Sequence, residues 1–234
     1  MDGAGSQTWF NKTRRRNRLL GLMPWLETIA EWRQLAKAAR RWRRDGWFVP
    51  VPHFVRRAQL LHIGRGIGAR VVVETGTFRG DTTGFLARHF DEVHTIEVVP
   101  ALADLARERF SGKASIRVWD GDSPAVLRRI LPDMSGPVLF YLDGHDSGGV
   151  TGKGKDACPV REELQVLFDC CAGEIVVVID DARLFGSDPD YPSLEDIRLW
   201  VEGHRPGAGV RVEIADCTYE SQTPRRSLQS DETR

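Results

Sequence analysis

The segment VVVETGTFRGDTTGFLARHF, residues 71–90, restricts what this chain can fold into more than any other stretch. A β-branched apolar run feeds a glycine-containing bend, and an amphipathic stretch over 82–90 follows at once, which predicts strand, loop and helix in direct succession. In an open α/β sheet that loop lies outside the carboxyl end of a strand, where ligands bind. Gly76 and Gly80 carry no Cβ and let the backbone approach a bound group. Glu74 closes the strand with a carboxylate, which suits a cationic or amine-bearing ligand better than a phosphate.

The same alternation continues. Strands are predicted over 92–98, 115–119, 138–142 and 174–179, and helices over 100–110, 124–131, 159–170 and 194–203. Strands alternating with helices at this spacing predict an α/β fold with a doubly wound, mainly parallel sheet. A helix over 54–63 precedes the first strand, and 210–214 with 217–222 suggests a closing hairpin. With 234 residues there is room for one sizeable core and an appendage. The expected division is a basic, Trp-rich helical extension over 1–48, a ligand-binding α/β domain over 49–222 and a polar, disordered tail over 223–234.

Charge separates the extension from the rest. Residues 1–57 hold 13 Lys or Arg against 4 Asp or Glu, and the remainder holds 20 against 29, so a basic arm is joined to an acidic body. Trp25, Trp32 and Trp42 share a helical spacing that predicts a helix over 24–45, with cations crowding its end. Its stripe can pack on the domain or form a homodimer, or it can lie on an anionic membrane surface. Nucleic acid is not expected, because the body is acidic and no recognition motif follows.

Arg14, Arg15 and Arg16 before an apolar stretch resemble a signal peptide, but Pro24, Glu27 and the lack of a small-residue cleavage site argue against one. Cys158, Cys170, Cys171 and Cys217 have neither metal-ligand spacing nor a secreted framework, so a cytoplasmic protein with reduced thiols is expected.

Glu97 lies 21 residues beyond Gly76, at the predicted end of the second strand, where a carboxylate can accept hydrogen bonds from ribose hydroxyls. The dinucleotide pattern GxGxxG is absent, which disfavours an NAD-dependent oxidoreductase. S-adenosylmethionine fits better, since its amino group and sulfonium both favour nearby carboxylates. Asp143 ends the fourth strand, and Asp180 with Asp181 ends the fifth. If those strands are adjacent, the carboxylates converge on one edge, a donor set that suits Mg²⁺.

Taken in order, ETGTFRGDTT, HTIEVVP, DGDS, LDGHDSGG and IDDARLFG resemble the class I S-adenosylmethionine-dependent methyltransferases, with a Rossmann-like sheet. Closest is a bacterial branch with an ETGT first loop and LDGH and IDD motifs. The resemblance covers roughly residues 50–215. It implies that Glu74, Gly76, Thr77 and Gly80 hold the methionine part of the cofactor, Glu97 the ribose, and Asp122 with Ser123 the neighbourhood of the adenine.

The acid set is similar to that of catechol O-methyltransferases and divalent-metal-dependent sugar O-methyltransferases. This implies methyl transfer to a hydroxyl of a small polyol, sugar or glycan-linked acceptor, with Asp143, Asp180 and Asp181 on the metal. One position departs from the pattern: the lysine expected three residues after Asp143 is Asp146. His145 is the expected catalytic base beside Asp143, with Lys153 and Lys155 as alternatives. The glycine-bearing segment 148–156 reads as a substrate-side lid, with Arg161, Arg183 and Tyr191 near its rim. The rival reading is a non-catalytic cofactor-binding scaffold.

Overall fold

The computed structural model describes residues 52–144, 158–171, 175–181, 184–187 and 191–205, with isolated helical positions at 11–12, 33, 36–37, 40–41 and 44. His145, Lys153, Lys155, Arg183, the predicted lid and closing hairpin, and the tryptophans of the N-terminal segment lie outside these residues.

The described elements run α1 (His53–Gly66), β1 (Val71–Thr75), α2 (Asp81–Leu86), β2 (Glu92–Glu97), α3 (Pro100–Arg109), β3 (Ile116–Asp120), α4 (Ser123–Ile130), β4 (Val138–Leu142), α5 (Val160–Cys170), β5 (Ile175–Ile179) and α6 (Leu194–His204). The strands form one sheet in the order β3-β2-β1-β4-β5. Every pairing is parallel. The fold is therefore the expected doubly wound, Rossmann-like one.

Parallel strands covered on both faces read as unbroken apolar runs, and VLFYL in β4 is buried throughout. Alternation along each strand then assigns the faces. Val73, Ile96, Phe140 and Leu142 point toward α4, α5 and α6, where they meet Leu127, Leu164, Leu167 and Ile197. Val72, Val93, Leu139 and Tyr141 point the other way, onto Leu60 of α1, Leu86 of α2 and Phe90.

Two elements differ from expectation. Helix α2 ends at Leu86, short of the predicted 90, because the chain must turn to bring Phe90 into the core beside Leu60. Helix α1 runs on to Gly66, three residues past the predicted end at 63. Its N-terminal turns overhang the carboxyl ends of the strands, and this proves decisive for the site.

Candidate functional site

Backbone hydrogen bonds tie the loops that leave the strands into one continuous edge. Gly121 N–H donates to Glu97 O (3.0 Å), Gly76 N–H to Ile96 O (2.9 Å), Asp143 N–H to Thr75 O (3.1 Å) and Asp180 N–H to Leu142 O (3.0 Å). The switch point of the sheet falls between β1 and β4 on this edge. The predicted cofactor residues and the three aspartates follow the strand ends on this edge or lie in the loops directly behind it.

On the β1–β2–β3 side, the first loop is held by neutral donors around buried carboxylates. Glu74, 1% exposed, accepts through Oε2 from Thr83 (2.5 Å) and Thr95 (2.9 Å). Glu97 accepts from the Phe78 N–H (2.8 Å) and the Val99 N–H (3.0 Å), so it clamps the loop as well as facing the edge. Thr77 shares a hydrogen bond with Thr95 (2.6 Å). Phe78 is held at φ 47° and remains exposed at the loop tip. Positive φ in a bulky residue is strained and persists only where its surroundings enforce it.

Gly76 and Gly80 owe their identity to packing in this structure. A Cβ on Gly76 (φ +85°) would lie 2.3 Å from Asp143 O, and one on Gly80 (φ +71°) would lie 2.7 Å from the Phe110 ring. Arg109 fixes the end of the loop by donating to Asp81 Oδ1 (2.6 Å) and to the Arg79 carbonyl.

Asp122 caps α4 by backbone conformation without a side-chain bond. Ser123 donates to Glu163 Oε1 (2.5 Å). Glu163, from α5, is fully buried, and its Oε2 has no hydrogen-bond partner among the described residues. Burial raises the pKa of both Glu163 and Glu74 to about 7, against the partial relief given by their hydroxyl donors.

On the β4–β5 side the chemistry changes. Tyr141 Oη lies 2.7 Å from Asp180 Oδ2 and 3.1 Å from Asp143 Oδ2. Asp180 Oδ1 accepts from the Asp181 N–H at 2.8 Å. Arg56, reaching down from α1, places Nη1 2.5 Å from Asp180 Oδ2 and Nη2 3.7 Å from Asp181 Oδ1. Asp181 sits at φ 53°, the second strained non-glycine.

Burial, then the Asp180 and Glu74 charges, push the Asp143 carboxyl well above the usual carboxylate range, with Arg56 and Tyr141 opposing. Burial and the same two aspartates push Tyr141 up. For Arg56, burial works against the charge, but Asp180, Tyr141, Asp181 and Asp143 outweigh it and strengthen its protonation. His53, one helical turn earlier, is lowered by burial and then by Arg56 and Arg57.

The strands do bring Asp143, Asp180 and Asp181 to one edge, as the sequence predicted. Their fit to Mg²⁺ is another matter. A divalent ion needs oxygen donors turned to a common point. Among the described residues no group of three or more His, Cys, Asp or Glu side chains is so arranged, and both Asp180 oxygens are already engaged. As they stand, these carboxylates do not fit the ion.

Sequence reasoning missed Arg56, Tyr141 and Glu163. The sole local signal for Tyr141 was a hydroxyl inside an apolar run. For Arg56 there was none, because its partner lies 124 positions away. Of the expected rim residues, Tyr191 is instead buried edge-on against Phe185 (5.6 Å), and Arg161 faces Asp196 at 3.7 Å on the exposed side of α5.

No family model and no curated protein matches the chain. Among solved structures it is similar to an O-methyltransferase from Bacillus cereus in complex with SAH, at 18% identity and a TM-score of 0.51, over 74% of this chain and 80% of that one. It is also similar to the O-methyltransferase TomG from Streptomyces achromogenes, involved in tomaymycin synthesis and in complex with SAM, at 22% identity and a TM-score of 0.49, over 73% and 76%. The chain thus has the Rossmann-like methyltransferase fold, and at these identities the likeness is one of fold.

Proposed function

We propose that this protein is an S-adenosylmethionine-dependent methyltransferase that transfers the methyl group to a hydroxyl oxygen of a small polyol, sugar or glycan-linked acceptor. The observation that carries the reading is the single edge on which the buried acids Glu74 and Glu97, the glycine loop and the Asp143–Asp180–Asp181 set meet at the switch point of the sheet. Glu74, Gly76, Thr77 and Gly80 would surround the methionine part, Glu97 the ribose, and Asp122 with Ser123 the adenine. Buried carboxylates beside a sulfonium stabilise the cofactor, and the acceptor oxygen attacks the methyl carbon in line with the breaking C–S bond.

The acceptor proton must then leave. Asp143, whose burial raises its affinity for protons, and His145, two residues on, are the proposed recipients. The metal-assisted variant of this reaction would first require Arg56 to withdraw from Asp180.

Residues 1–48 are proposed to dock a second copy of the chain, because a basic arm complements an acidic body. Among the described residues no helix is long and apolar enough to cross a membrane. The free thiols of Cys170 and Cys171 fit the reducing cytoplasm proposed as the protein's location.

Calorimetry with S-adenosylmethionine, S-adenosylhomocysteine and NAD tests the main proposal. The two S-adenosyl ligands should bind with Kd of roughly micromolar order and NAD should not. Failure of both S-adenosyl ligands to bind would rule the proposal out.

A further inference from the structure

We infer that Arg56 is the resident cation of the acceptor edge: its guanidinium occupies the place among Asp143, Asp180 and Asp181 that a divalent metal would take, and the site works without one. This rests on the methyl-transfer reading above and adds to it what neutralises and orders the acceptor side.

Strand alternation sets which way the acids face. Tyr141 points to the α1 face. Asp143 follows it at the same parity, and Asp180 follows Val176 and Val178, which pack on that face as well. The acids are therefore presented to α1 and not to α4 or α5. Helix α1 answers with cations on its first turns, since Arg56 and Arg57 lie three and four residues after His53 and share its side of the helix. Arg57 is near enough to Glu74 to favour its charged form, so a single helical face serves both halves of the edge.

Arg56 and Asp180 have side chains 15% and 9% exposed, and their closest atoms are 2.5 Å apart. Asp180 Oδ2 receives both the guanidinium and the Tyr141 hydroxyl, and Oδ1 receives the Asp181 N–H. Three of the roughly four acceptor positions of the Asp180 carboxylate are thus taken, and Oδ2, the oxygen shared with Tyr141, is filled by the guanidinium where Mg²⁺ would need a donor. A guanidinium is charged at every physiological pH, so a divalent ion approaching Asp180 is repelled by Arg56 and must compete with it for Oδ2.

One fixed charge held by a planar fork can orient Asp180 and, through Tyr141, Asp143, without the hydration changes that an exchangeable ion brings. Arg56 is thus a positioning residue for the acceptor acids.

The full-length chain, Mn²⁺ alone as a paramagnetic probe and S-adenosylhomocysteine as a reporter of the folded cofactor site provide the test. Wild type should show no stoichiometric Mn²⁺ binding at millimolar concentration, and its S-adenosylhomocysteine affinity should be unchanged by EDTA. Arg56→Ala, with Arg56→Gln as the gentler second variant, should keep S-adenosylhomocysteine binding and gain one Mn²⁺ per chain, about tenfold or more tighter than wild type, as expected when three carboxylates lose their internal cation.

Two results would overturn the inference. One is a single Mn²⁺ on wild type that Asp180→Asn removes, and the other is an Arg56 variant that binds S-adenosylhomocysteine normally yet gains no ion. Loss of S-adenosyl binding in the wild type would strike the methyl-transfer reading instead, and the Mn²⁺ comparison would still decide the role of Arg56.

Discussion

The two halves of the carboxyl edge solve the same problem in different ways. Both bury carboxylates at strand ends, an arrangement that is unfavourable unless the charge is paired or hydrogen-bonded. The β1–β2–β3 half does it with hydroxyls and backbone N–H groups contributed by residues within two dozen positions, Thr83 and Thr95 on Glu74, Phe78 and Val99 on Glu97. The β4–β5 half uses a guanidinium from α1 and a tyrosine in the sheet. Neutral donors leave an acid free to change its protonation, as the raised pKa of Glu74 indicates, whereas on the other half a guanidinium stands 2.5 Å from Asp180.

The sharpest way to break the comparison is at the joint between the halves. Gly76→Ala would drive a Cβ to 2.3 Å from Asp143 O at a positive φ, and backbone cannot yield as a side-chain tip can. A loss of about 4 kcal/mol or more is expected, together with loss of S-adenosylhomocysteine binding. Urea denaturation followed by calorimetry measures both. A stable variant with normal binding would mean that the two halves are not mechanically joined at this glycine.

Next in size is a pH effect lying behind the cofactor half. The Glu163 carboxyl is raised from an ordinary value of 4.5 to about 7 in the folded protein. Between those values the folded state holds more protons than the unfolded one, so stability falls as pH rises through the window, and the loss is complete above pH 7. Glu163→Gln should remove this slope and stabilise the protein at pH 8 by on the order of 3 kcal/mol. Glu74, shifted in the same direction, should leave a residual slope. Thermal melts from pH 4 to pH 8 provide the check, and a variant that parallels wild type throughout would contradict it.

Glu97→Gln tests the clamp on the loop. It retains the shape but replaces two charge-assisted hydrogen bonds from Phe78 and Val99 with weaker ones. About 2 kcal/mol of S-adenosylhomocysteine affinity should be lost, with acceptor KM little changed. Equal losses on both sides would show that the halves are coupled through this residue.

Tyr141→Phe is the smallest change, since it removes only the hydroxyl between Asp180 and Asp143. Stability should fall by about 1 kcal/mol. The turnover rate should fall and S-adenosylhomocysteine affinity should hold. A loss of cofactor affinity would place Tyr141 in the wrong half.

How legible the site was follows from the same division. The loop 74–80 and Glu97 could be found because each sits at the end of an apolar run whose period and length declare a strand, and strand ends in this fold gather at one edge. Asp143 and Asp180 could be found in the same way. Their partners could not. Arg56 reads as one cation among the many of a basic arm, and Glu163 as an ordinary charge on an amphipathic helix, where burial would not be guessed. The prediction of a metal drew on three acids and overlooked the cation, because spacing along a chain carries no information on which helix crosses above a sheet edge.

The sequence by itself determined the alternation of strands and helices, the parallel sheet, the glycine loop and the acids at the strand ends, since these depend on local periodicity and on turn chemistry. Only the tertiary structure decided what those acids face. Packing Leu60 of α1 against Val72 and Leu139 lays the first turns of that helix over β4 and β5, and the residues that arrive there are arginines. A contact between residues 124 positions apart is set by the burial of an apolar face elsewhere on the helix, and no local pattern records it.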